Sequence, residues 1–345
     1  SRAIGNSVSY ISKVSSAFFS DIFTNRRFFL LLGYGLSIII KPLFILSMYD
    51  GISQYIRIIL FIALNIIDKF VGAIRDIPRD ALIVDLDPHN IKNNIIFRRF
   101  FAYGGITLGA LLGEILFSYN FTPIQVSAIA YPFCVIGILL VYFCVPDSFS
   151  QKEKESFDIN EYYDNIKSTI KNIYPIIIGI TLGMISKIDE AYFWNVAAYK
   201  FNMVKNNGTL FISLYLASSI TSFLLMYMNI EKYSKYFLLI TFFLLILCNI
   251  LMYFYISITT IFLYSIFIGT FNSLSDNTIN VTILSKVKNK NIRGTIMSII
   301  YICISISLFL SASIGRYIIC KYGLQYMCIL GIIPSIISCI IFLIF

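Results

Sequence analysis

Nine ionisable side chains stand out inside long apolar stretches of this 345-residue chain: Lys13, Lys41, Asp68, Lys69, Glu114, Lys187, Asp189, Glu190 and Asp276. A charge at the centre of a bilayer costs about 2.5–3.5 kcal/mol on insertion scales, so such groups persist where they have a partner, a wet cavity or a function. Two chemistries follow from their types. A carboxylate withdrawn from water can exchange a proton near neutral pH, which is what proton coupling needs. Asp189, Glu190 and Asp68 are the foremost candidates, in that order, with Asp276 behind them. Four lysines at membrane depth can attract an anionic solute, unless neighbouring carboxylates already neutralise them. Asp68 and Lys69 are adjacent and point about 100° apart on a helix, so each needs its own partner from elsewhere. The blander alternative is a set of structural ion pairs that fix helix registry. Around Asp276, the residues Asn272, Ser273, Ser275, Asn277 and Asn280 make a polar helix face that either lines a path or bonds between helices.

The elements that must hold these groups are membrane helices. The chain is 58% hydrophobic and 13% charged, with a mean hydropathy of +0.81. A soluble protein cannot hide so much apolar surface, whereas lipid solvates it. A spanning helix takes about 20 apolar residues. Eleven such segments are expected, at 1–21, 28–48, 56–77, 95–118, 123–145, 173–199, 207–229, 233–255, 257–285, 293–319 and 322–345. A long polar stretch, 147–172, reads as a cytoplasmic linker between a bundle over 1–146 and another over 173–345. The runs are too long and too continuous for barrel strands, and the start does not read as a leader peptide. If the first segment runs outside to inside, seventeen of the 27 Lys and Arg residues fall in inner loops and six on the outer side, in line with the positive-inside rule.

Other chemistries are not indicated. There is no G-x-S-x-G, Walker loop, H-E-x-x-H or Cys/His pair, so no enzyme is expected. The seven cysteines are scattered and His89 stands alone, so neither a metal nor a cofactor is expected. The excess of basic residues is assigned to cytoplasmic loops and not to nucleic acid. Glycines at 104, 105, 109 and 113 would permit close helix approach.

A second constellation lies at 73–89, "AIRDIPRDALIVDLDPH". At i, i+4 spacing Arg75 and Arg79 share one helix face, as do Asp76 and Asp80. With Asp21 and the basic pair Arg26 and Arg27, they would share one membrane face. They either end helices in the headgroup region or form an ionic latch.

The stretches "FFSDIFTNRRFFLLLGYGLSIIIKPL", "IDKFVGAIRDIPRDALIVDLDP" and "RRFFAYGGITLGALLG" resemble the major facilitator superfamily, most specifically over residues 17–113. Asp21 matches the acidic residue of the family's cytoplasmic turn, and Arg26 and Arg27 match its terminal basic pair. Ala17, Ile22 and Thr24 depart from the family's Gly, Arg and Gly. Arg75, Pro78, Arg79, Asp80, Ala81 and Leu82 match the following block, and "RGTIMSI" at 293–299 matches the start of a late helix. The resemblance implies an all-α membrane protein of two six-helix bundles. The eleven segments would be spans two to twelve: two to six over 1–146 and seven to twelve over 173–345, with span one before Ser1. It also implies that Asp21, with Arg75 or Arg79, closes the inner face. The expectation is a monomeric secondary-active transporter in a plasma or organelle membrane. It would move a small organic solute, a metabolite or drug, anionic in one version, by alternating access with proton coupling. The alternatives are a drug efflux antiporter, or a receptor or scaffold of transporter fold. Its expected partners are the solute, protons and membrane lipid.

Overall fold

The computed structural model describes residues 26–49, 51–87, 90–145, 159–188, 207–287 and 292–344, with positions 190, 192, 194 and 201. Among the described residues it is helical throughout, because backbone polar groups placed in lipid must pair within their own segment. Ten helices follow in order: α1 (Arg26–Ser47), α2 (Gln54–Leu86), α3 (Ile91–Ser118), α4 (Pro123–Cys144), α5 (Ile159–Ile185), α6 (Asn207–Met226), α7 (Ser234–Phe254), α8 (Ile258–Lys286), α9 (Arg293–Tyr322) and α10 (Leu324–Ile344). Nine are long and apolar enough to cross a membrane. The tenth, α2, exceeds spanning length, but every stretch of 18 residues in it carries more than two charged side chains. The protein is an integral, multi-pass membrane protein. The expected segment at 1–21 lies outside the described residues.

Local signals place the helix ends. α4 opens on Thr122, whose hydroxyl accepts from the Gln125 amide while the Gln125 side chain accepts from the Thr122 amide, and Pro123 follows at the first helical position. α8 opens in the same way on Ser257 and Thr260. Between α9 and α10, Gly323 takes a φ of 98°, and its amide reaches back to the Ile318 and Ile319 carbonyls. A side chain would be strained there. The largest departures from the hydropathy reading are in α2 and α5. α2 continues through buried Pro78 to Leu86, past its expected end at 77. α5 begins at Ile159 and not 173, because its first turns carry polar residues that an apolar window passes over.

The chain divides into two compact units. One comprises Ser1–Leu86, Ile115–Ile170 and Asn289–Ser305; the other Asp87–Glu114, Lys171–Lys288 and Ile306–Phe345. In the first unit α1 packs on α2 and α4, around Ile40, Leu64 and Val71. In the second, α8 packs on α6 and α7, and α10 on α7, around fully buried Phe242, Leu245, Phe271 and Ile268.

The seam between α6 and α8 is built from small and polar residues at four-residue spacing. Ser218 donates to the Gly269 carbonyl at 2.8 Å, the Ser222 and Ser273 hydroxyls are 2.8 Å apart, and Asn277 donates to Ser222 at 3.1 Å. A Cβ at Gly269 would collide with the Leu214 carbonyl and lie 3.2 Å from the Ala217 methyl. Without a hydrophobic drive between helices in lipid, such contacts hold the pair together. The glycines of α3 behave differently. A Cβ at Gly104 would meet Ser219 Oγ at 3.4 Å, but at Gly105, Gly109 and Gly113 it meets nothing within 4 Å among the described residues. The packing expected of that stripe is therefore confined to Gly104.

Candidate functional site

Ionisable groups meet at distinct points along the helices of each unit. In the first unit, Lys41 on α1 and Asp68 on α2 form an ion pair of 3.0 Å. Their side chains keep 41% and 31% of their surface accessible. Lys41 also lies 5.6 Å from the Phe44 ring. The neighbouring Lys69 is exposed.

Seven residues along α2 from Asp68, two turns of the helix, stands Arg75. Its guanidinium lies 4.7 Å over the ring of Tyr34 and donates to Ser37 Oγ at 3.3 Å, both on α1. Ser37 in turn donates to the Gly33 carbonyl at 3.0 Å. The next basic group, Arg79, has the carboxylates: Asp76 at 3.1 Å and Asp80 at 3.4 Å, both on its own helix. The Arg-Asp repeat thus resolves into one arginine with two acids and another held by a hydroxyl and a ring. Arg27, near the start of α1, donates to the Tyr142 carbonyl and lies 5.7 Å over that ring, one residue beyond Arg26, which opens the helix. Asp21 and Lys13 lie outside the described residues.

In the second unit α5 stops at Ile185 and residue 190 is helical again. The carbonyls exposed by this break are taken up from other helices. Asn249 on α7 donates to the Ser186 carbonyl at 3.4 Å, and Ser311 on α9 donates to the Lys187 carbonyl at 2.7 Å. Interruptions of this kind are tolerated at membrane depth where neighbours re-satisfy the freed groups. Across the break Lys187 pairs with Glu190 at 3.4 Å, and Asn272 on α8 donates to the same carboxylate oxygen at 3.4 Å. Glu190 is 8% exposed. The Asp189 side chain lies outside the described residues.

One turn along α8 from Asn272, Asp276 meets α3. Tyr103 donates to Asp276 Oδ2 at 2.8 Å and Arg99 pairs with the same oxygen at 3.2 Å. Arg99 and Tyr103 are four residues apart, so one face of α3 supplies both. On the same helix Lys92 caps the end of α6, donating to the Met226 and Met228 carbonyls at 3.2 and 3.1 Å.

The structure therefore brings together Lys41 with Asp68, Lys187 with Glu190, and Arg79 with Asp76 and Asp80. Lys69 stands apart from them. Residues that sequence reasoning did not single out are Tyr34, Ser37, Arg99, Tyr103, Asn249 and Ser311. The i, i+4 spacing of Arg99 and Tyr103 was the one signal available for that pair. Nothing in the sequence marks Tyr34 and Ser37 as neighbours of an arginine 38 to 41 positions away. Among the described residues there is no group of three or more His, Cys, Asp and Glu placed to hold a metal ion.

No family model and no curated protein sequence matches the chain. Solved structures do. The human organic anion transporter MFSD10 (TETRAN) superposes with a TM-score of 0.74 at 13% identity, covering 99% of this chain and 83% of that one. A bacterial homologue of the iron transporter ferroportin in its outward-facing state gives a TM-score of 0.66 at 12% identity, covering 99% and 88%. The same homologue with soaked iron gives 0.67 at 13%, with the same coverage. The chain has the fold of major facilitator superfamily transporters.

Proposed function

We propose that this protein is a secondary-active transporter that moves a small organic solute by alternating access, coupled to protons through Asp189, Glu190 or Asp68, with Asp276 behind them. The observation that carries the reading is the half-open state of the Lys41–Asp68 pair, with the Lys187–Glu190 pair more enclosed. Lys41 and Asp68 keep 41% and 31% of their side-chain surface accessible, and Lys187 and Glu190 keep 20% and 11%. Charges facing hydrocarbon are costly, so groups that remain open at this depth are read as facing water and lining a path. A sealed structural pair would have no need of that opening.

The break between α5 and residue 190 supports the same reading, because transporters build their midplane sites on interrupted helices. The polar stretch 147–172, whose second half forms the start of α5, would join the two moving bundles, 1–146 and 173–345. One fold neighbour is an organic anion transporter, which favours an organic cargo here. An iron cargo draws no support from the described residues, which hold no cluster of metal ligands.

The test begins with a thermal-shift screen of purified protein against metabolites and drugs across pH. Flux assays in proteoliposomes follow on the compounds that stabilise it. Saturable uptake with counterflow, raised by an imposed pH gradient, is expected. The pair Asp189→Asn with Glu190→Gln, and separately Asp68→Asn, should cut gradient-driven accumulation at least tenfold. If all of these leave pH-dependent uptake unchanged, the coupling proposal fails. Flux without saturation would mean a channel, and binding without flux a receptor of transporter fold.

A further inference from the structure

Among the described residues, the first unit carries a cation with no counter-ion. Lys41 has Asp68, Arg79 has Asp76 and Asp80, Arg99 has Asp276, and Lys187 has Glu190. Arg75 has none of these. Among the described residues no carboxylate lies within ion-pair distance of it, and its Nε is shut from solvent with no hydrogen-bond partner. What it has is the Tyr34 ring at 4.7 Å and one hydroxyl at 3.3 Å. A cation–π contact is a modest attraction, and the hydroxyl fills one of five guanidinium N–H groups. Neither neutralises the charge.

The surroundings are built around this group. Gly33 leaves room for the stem: a Cβ there would be 2.8 Å from Arg75 Cβ. Ser37, 6% exposed, is fixed by its own bond to the Gly33 carbonyl, so its oxygen faces the guanidinium. Tyr34 is backed from α4 by Gly137, where a Cβ would come within 3.8 Å of the ring. Three helices thus pre-set one guanidinium and leave its charge open. Arginine is the side chain best suited to grip a carboxylate through two parallel N–H bonds.

We propose that Arg75, held by Tyr34 and Ser37, is the binding site for the carboxylate of a small organic anion. The assignment of that anion as cargo rests on the transporter reading above; the site itself does not. The Lys41–Asp68 pair lies seven residues along the same face of α2, about 10 Å away at 1.5 Å per residue. It would meet a second polar group on a longer anion.

The probes are sodium salts of straight-chain mono- and dicarboxylates and benzoate, with chloride and inorganic phosphate as controls. The readout is the melting temperature of the full chain in detergent. At least one carboxylate should raise it saturably. Arg75→Gln should weaken the apparent affinity at least tenfold, Arg75→Lys less so, and Lys321→Gln not at all. Ser37→Asp places a resident carboxylate beside the guanidinium. It should abolish the carboxylate response while leaving the protein folded, and it serves if Arg75→Gln fails to fold. A merely structural arginine would not produce that loss.

The proposal is overturned if no carboxylate shifts the wild-type melt, or if Arg75→Gln and Ser37→Asp respond as wild type does. It is also overturned if phosphatidylglycerol nanodiscs, compared with phosphatidylcholine, give an Arg75-dependent shift that carboxylates do not, because the anion is then a lipid headgroup. Flux is measured separately. Solute movement indifferent to Arg75 would keep the transporter and reject the bound anion as its cargo, and Arg75-dependent binding without flux would keep the site and reject the transporter.

Discussion

The phenol of Tyr103 donates to Asp276 across 173 positions of chain, at 2.8 Å, on the same carboxylate oxygen that pairs with Arg99 at 3.2 Å. A single oxygen therefore anchors two groups of α3 to α8. Removing the hydroxyl leaves the ion pair, whereas removing the carboxylate takes the ion pair and the hydrogen bond together. Tyr103→Phe should cost about 1 kcal/mol, the usual net worth of one hydrogen bond. Asp276→Asn should cost more than Tyr103→Phe. Denaturation of the purified protein in detergent measures both, and equal losses would show that Arg99 does not depend on Asp276.

Gly269 and Gly109 offer a contrast on two helices. At Gly269 an alanine methyl would drive into the Leu214 backbone, which cannot move aside as a side chain can. Gly269→Ala should lower the melting temperature strongly and break the ladder through Ser218 and Ser222. Gly109→Ala, with nothing within 4 Å among the described residues, should be neutral or stabilise by up to about 1 kcal/mol through helix propensity. Melting curves of the two variants side by side decide the matter.

The Lys41–Asp68 pair makes a reciprocal prediction. Lys41→Asp or Asp68→Lys alone puts two like charges 3.0 Å apart and should reduce monodisperse yield several-fold. Together they restore opposite charges and should recover most of the loss, as coupled neighbours do in a double-mutant cycle. Size-exclusion profiles of the three variants provide the measurement. Additive losses would mean that the two side chains act separately.

Asn249 and Ser311 tie down the interrupted stretch after α5. Asn249→Ala and Ser311→Ala each leave a buried carbonyl without its donor, a loss of about 1–3 kcal/mol. Amide exchange at residues 184–190 should accelerate in both variants before the rest of the chain is affected. Uniform acceleration across the chain would contradict this.

Much of this arrangement was readable in the sequence, and the part that was not has a physical cause. Apolar runs mark α1, α4 and α6 to α10 closely, because lipid sets both their length and their composition. The end of α2 and the start of α5 were less clear, since charged turns such as 76–80 and 162–171 continue a helix beyond the apolar window. The positions of Asp68, Glu190 and Asp276 stand out by cost alone. Their partners do not, because pairing depends on how each helix is rotated about its axis, and composition carries no record of that. Arg75 and Arg79 look equivalent at i, i+4 spacing. Only the neighbouring helix distinguishes them, by placing Gly33, Tyr34 and Ser37 beside one of the two.

The interruption at residues 186–188 gives the span a joint. The turn keeps two tight backbone bonds, from Ser186 to the Gly183 carbonyl and from Lys187 to the Met184 carbonyl, while its own carbonyls are tethered by a single amide and a single hydroxyl. A swing of the acid at 190 relative to α5 would have to release Lys187 and Asn272 as well as those two tethers, and their combined loss sets its cost.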